Sequence, residues 1–189
     1  MFTVEVDEFR VLCVPDGLPS VYSPYRERAA LVEEFALDDA DAGRQSFLGV
    51  AHVGEDWPFL VVAQRFEPAG YGFEPGVLIV PDTGRLFLGA GTRLLAYDLT
   101  SPPRRLWADA AEIGFWGWAR HNDIVLMSAE LELAAWDLEG RKLWTTFVEP
   151  PWTYTVRDGV VVLDVMGTKS EFSARTGPVS HPQQSPNVR

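Results

Sequence analysis

One stretch restricts the fold more than any other: Leu131-Glu132-Leu133-Ala134-Ala135-Trp136-Asp137-Leu138-Glu139-Gly140-Arg141-Lys142-Leu143-Trp144. It reads as a strand, a tight Asp/Gly turn and a return strand that ends in tryptophan. A looser copy lies upstream, Arg93 to Leu99 followed by Arg104-Arg105-Leu106-Trp107, and a third trace surrounds Phe172. Tyr97 and Trp136 are 39 residues apart, and Trp136 and Phe172 are 36 apart. A period of that size, filled by short strands and turns, describes a unit that cannot bury its apolar faces alone and must stack on a neighbour.

The strand pattern divides this part of the chain into units at 76–109, 113–147 and 152–177. At Ala135-Trp136-Asp137-Leu138-Glu139-Gly140-Arg141-Lys142-Leu143-Trp144 the sequence resembles the blade motif of quinoprotein-like (PQQ-type) β-propellers. There a strand ends in an aromatic or leucine plus Asp, turns through Gly and returns into a buried tryptophan. Tyr97-Asp98-Leu99 with Leu106-Trp107 looks like a degenerate copy with a Pro-Pro turn, and Phe172 to Gly177 keeps the turn without the Asp or the final Trp. The resemblance runs from about Gly76 to Gly177 and implies antiparallel blades. It implies no activity, because the architecture hosts many, and no quinone cofactor, because the matching positions are structural.

Upstream, Phe2, Val4 and Val6, then Phe9, Val11 and Cys13, alternate with polar residues as half-buried strands do. Ser23 as N-cap, Pro24 in the first turn, and Tyr25, Ala29, Val32 and Ala36 at helical spacing predict one helix over 24–36. A hairpin follows at 47–66. The expected fold is mainly β: propeller-like antiparallel meander blades with one N-terminal helix, in a single domain over 1–177, with a flexible tail at 178–189. A closed propeller takes about four blades or more. With three clear units, an incomplete propeller or curved sheet, a small barrel, and a homodimer that completes the blade set all stay open.

The formal net charge of −11 disfavours nucleic acid and anionic membrane surfaces, both of which call for a cationic footprint. It suits a basic protein partner. The lone Cys13 sits in an apolar strand, which points to a buried structural thiol. Met1 to Glu8 carries acids where a leader peptide has basic residues, and no apolar run reaches the ~20 residues of a membrane span. A cytoplasmic location is expected. Asp38, Asp39 and Asp41 miss the calcium-loop spacing, His52, His121 and His181 share no element, and no metal or cofactor is expected.

Candidate contact residues lie where the copies differ. Trp116 and Trp118, placed by alternation on one strand face, adjoin Arg120 and His121 and would suit stacking on a ring or partner side chain. Glu130 and Glu132 interrupt an apolar run, Glu149 and Trp152 flank a Pro-Pro connection, and Tyr71 lies in a Gly/Pro/aromatic loop. The expected function is a non-catalytic binding module for a basic partner, in its narrowest form an immunity or inhibitor protein. The alternative is a small hydrolase or carbohydrate-binding protein using Glu130, Glu132 or Asp164 in an aromatic-lined cleft.

Overall fold

The computed structural model describes residues 2–39, 41, 43–67 and 73–179. Tyr71, His181 and the tail from 180 onward lie outside the described residues.

The repeat builds sheets. Strands β6 (Gly76–Val80), β7 (Arg85–Ala90), β8 (Arg93–Asp98) and β9 (Arg104–Ala110) pair antiparallel in chain order. So do β10 (Phe115–His121), β11 (Ile124–Ala129), β12 (Glu132–Asp137) and β13 (Lys142–Phe147). A three-stranded sheet follows, β14 (Trp152–Arg157), β15 (Val160–Val165) and β16 (Thr168–Ser173). The N-terminal part adds a five-stranded sheet in the order β1-β2-β4-β5-β3. Its strands are β1 (Phe2–Val6), β2 (Phe9–Val14), β3 (Leu31–Phe35), β4 (Arg44–His52) and β5 (Leu60–Phe66). Among the described residues the fold is mainly β, with blade-like antiparallel sheets, one α-helix and no closed barrel.

Alternation along each strand splits its side chains between two neighbours, so three cores join four sheets in a row. Val11, Val50, Val62, Leu86, Leu95 and Tyr97 fill the first seam. Phe87, Leu94, Phe115, Met127 and Trp136 fill the second, and Leu126, Leu133, Trp152, Val161 and Leu163 the third. Phe115 lies flat on the β6–β7 pair, where a Cβ on Gly89 would come within 2.5 Å of its ring.

The turn motif has a visible mechanical role. The buried Asp137 carboxylate accepts N–H bonds from Glu139 at 3.0 Å and Arg141 at 2.9 Å, and pairs with the Arg141 guanidinium at 2.8 Å. Asp98 repeats this with the Thr100 N–H and hydroxyl and with Arg85. The strand-end tryptophan then crosses to the next sheet: Trp107 Nε1 donates to Gly140 O at 2.6 Å, and Trp144 Nε1 to Ala174 O at 2.8 Å. The Asp137–Gly140 turn is therefore both a corner and the acceptor for the preceding blade.

The predicted helix over 24–36 needs correction. The helix, α1, spans Tyr22–Arg28, and Leu31–Phe35 is a strand parallel to β5. Pro24 falls inside the first turn, and the backbone turns extended at Ala29. Leu31 and Phe35 pack toward the second sheet while Val32 packs beneath α1, so both faces are partly covered and the polar alternation of a strand is blurred. Tyr22 and Tyr25 of α1 rest on Phe47 and cover the free face of the first sheet. At the other end, the outward face of the fourth sheet is mostly polar, with Thr153, Thr155, Asp164, Lys169 and Glu171 around Val160 and Val162.

Candidate functional site

The predicted face shared by Trp116 and Trp118 does not exist. A β-bulge between Phe115 and Gly117 inserts Trp116 as the extra residue and turns it toward the fourth sheet. Trp116 stacks between Phe73 and Trp152, with ring centroids 5.3 Å apart on each side. Trp118 points the other way, into the second seam, against Phe87 and Trp136. Both indole N–H groups are buried without a described hydrogen-bond partner. Arg120 follows Trp118 and pairs with Asp82 at 2.6 Å. That guanidinium holds the Asp82 carboxyl below the usual range. His121 meets the edge of Tyr154 at 6.3 Å.

Four of the remaining candidates gather at one end of the third sheet. Glu130 sits in the β11–β12 turn, tied by its N–H to Gly114 O, and its own carbonyl accepts the Trp152 indole N–H at 3.0 Å. Glu149 is exposed just after Val148, whose N–H donates to Leu131 O. Glu132 is 7% exposed. Its carboxylate accepts the Thr145 hydroxyl at 2.7 Å and the Glu112 N–H at 3.1 Å, with Lys142 Nζ at 3.7 Å. It lines a groove of about 340 Å³ together with Glu112, Leu131, Thr145 and Phe147.

Three residues at this end escaped the sequence reading. Glu112 and Ile113 come from the β9–β10 connection, and Phe147 ends β13. Ile113 and Phe147 are 55% and 60% exposed, and Ile113 has a left-handed φ of 58°. A β-branched residue is rarely held there, since its branches crowd the backbone. The signal that could have flagged it is an isoleucine between Glu112 and Gly114 in a loop. The site thus joins a buried carboxylate, three acids in the flanking turns and two exposed apolar side chains.

Glu132 does not meet Asp164. Glu132 faces the second sheet, with Ala134 and Trp136 on the same side of β12, whereas Asp164 lies on the outward face of β15 and caps the Gly167 N–H at 2.8 Å. Among the described residues no group of three His, Cys, Asp or Glu side chains could hold a metal ion, and no helix is long and apolar enough to cross a membrane.

No family model matches the sequence, and no curated protein matches it. Solved structures do resemble it. The computationally designed Ika8 protein aligns over 93% of this chain and 46% of its own, at 14% identity and a TM-score of 0.48. The designed Ika4 protein aligns over 62% and 77%, at 16% identity and a TM-score of 0.43. BamB from Moraxella catarrhalis aligns over 68% and 45%, at 17% identity and a TM-score of 0.38.

Proposed function

We propose that the chain is a non-catalytic interaction module that engages a basic segment of a protein partner at the acidic end of the third sheet. One observation carries this reading: the buried Glu132 carboxylate lines a groove with Glu112 and exposed Phe147, and the turns at the same end of the sheet carry Ile113, Glu130 and Glu149. Carboxylates attract a lysine or arginine head group, and the apolar side chains take its methylene stem. The wider charge distribution agrees. Eleven of the 27 carboxylates form ion pairs among the described residues, leaving sixteen without one. An immunity or inhibitor protein for a basic toxin or enzyme is the narrower form of the proposal, and a cytoplasmic setting suits the free, buried Cys13.

The test is titration with a Lys/Arg-rich peptide, for the wild type and for the E112Q/E130Q/E149Q variant, at rising salt. Binding should weaken as the screening length falls from ~10 Å at 0.1 M toward ~3 Å at 1 M, and the variant should lose most of it. Binding indifferent to both would overturn the proposal. The hydrolase alternative requires converging carboxylates, and Glu132 and Asp164 do not provide them. We also read the blades as quinoprotein-like in type, on the Asp137 turn and the Trp107 and Trp144 crossings, with no quinone site attached to that reading.

A further inference from the structure

A second cleft lies at one end of the row of sheets, between α1 and the free face of the first sheet. It encloses about 270 Å³ and is lined by Thr3, Arg10, Val21, Tyr25, Asp56 and Trp57 among others. Arg10 alternates with Phe9 and Val11 on β2, so its side chain lies on the α1 side of the sheet. Its Nε is buried with no hydrogen-bond partner, and the guanidinium enters none of the ion pairs among the described residues. Glu5 is directly across β1 from it and Asp56 is in the cleft wall, yet neither engages it. Trp57 is 41% exposed, meets the edge of Tyr25 at 5.8 Å, and is held from one side by the Arg28 guanidinium 3.6 Å from its ring centre.

A guanidinium presents a planar fork that matches a carboxylate with two parallel N–H bonds. Beside it, Trp57, Tyr25 and Val21 form an apolar wall, so one end of the cleft takes negative charge and the rest takes hydrocarbon. We propose that this cleft binds a carboxylate carried on an apolar or aromatic body, Arg10 gripping the carboxylate and the aromatic wall covering the body. The chemistry fits a free organic acid and the C-terminal carboxylate of a peptide ending in an apolar residue. The site is separate from the acidic groove and stands or falls independently of it.

The experiment follows the Arg10 Nε–H resonance and the heat of binding for four probes: phenylacetate, phenylacetamide, a short peptide ending in free phenylalanine, and its C-terminal amide. At least one carboxylate should move the Arg10 resonance and bind about tenfold or more tighter than its neutral amide. R10M keeps the apolar stem and removes the fork, and should bind the acid about tenfold or more weaker, while E5Q should bind it as well as wild type or better. A stronger response to phenylacetate identifies the free acid as the source, and a stronger response to the peptide identifies a chain end. Equal binding of acid and amide, wild-type binding by R10M, or an Arg10 resonance unmoved by either carboxylate would overturn the proposal. Should R10M fail to fold, the wild-type resonance and the acid-to-amide ratio decide alone.

Discussion

Asp137 illustrates how one side chain sets a corner. Burial pushes its carboxyl upward, but the Arg141 N–H, the Arg141 guanidinium and the Glu139 N–H outweigh that and hold it below its ordinary value of 3.8. The folded chain therefore releases this proton more readily than the unfolded one. The resulting stability is fully present above the ordinary value and is lost as pH falls through the lower, folded one. Asp137→Ala should cost about 2 kcal/mol near neutral pH, because two turn N–H groups lose their acceptor. Urea midpoints measured from pH 6 downward should fall less steeply for the variant than for the wild type. Packing at Gly89 makes a second prediction. A Cβ there would meet three Phe115 ring carbons between 2.5 and 2.7 Å, so Gly89→Ala should destabilise by roughly 1–3 kcal/mol, readable in the same melts. The Gly89 contact is not visible in the sequence, where Gly89 is one more small residue in a strand. The Trp116 error has a similar origin: alternation locates faces only while the ladder is regular, and a one-residue bulge reverses every assignment on one side of it.

Among the elements, two blades were legible because their turns are written in the sequence, Asp137 with Gly140 and Asp98 with the Pro102-Pro103 pair. β3 was not. Its five residues face the second sheet and α1 in turn, and Ala29, Val32 and Ala36 fall at helical spacing by coincidence of two separate elements. Parallel pairing with β5 also leaves no local turn to signal it. The links between elements yield a further prediction. Trp144 Nε1 bonds to Ala174 O, and Gly177 packs so closely on the same indole that a Cβ would reach 2.5 Å from it. Trp144→Phe should therefore loosen the fourth sheet in particular. We expect a loss of about 1–2 kcal/mol and faster amide exchange in β16, with the second sheet unchanged. Equal loosening of both sheets would mean that the indole serves the general core and not this link.

At the scale of the whole molecule, the question is what covers the two ends of an open row of sheets. A repeat stack needs polar or covered terminal units, since an exposed apolar face at either end would draw in another chain. Here α1 lays Tyr22 and Tyr25 over Phe47 at one end, and the fourth sheet turns Thr153, Thr155, Arg157, Lys169 and Glu171 outward at the other. An interface that completes a blade set would have to bury that charged face, and stable interfaces of ~1,200–2,000 Å² are depleted of charge at their centre. The weaker protection lies at the edge strand β1, where Phe2 and Val4 are 51% and 46% exposed beside backbone groups that no described strand pairs. Light scattering over a wide concentration range should thus give the single-chain mass of 21.1 kDa. If the mass doubles instead, the location of the contact is testable: Val4→Lys should restore the single-chain value when β1 is the seam, and Val162→Lys, on the outward face of β15, should restore it when the fourth sheet is.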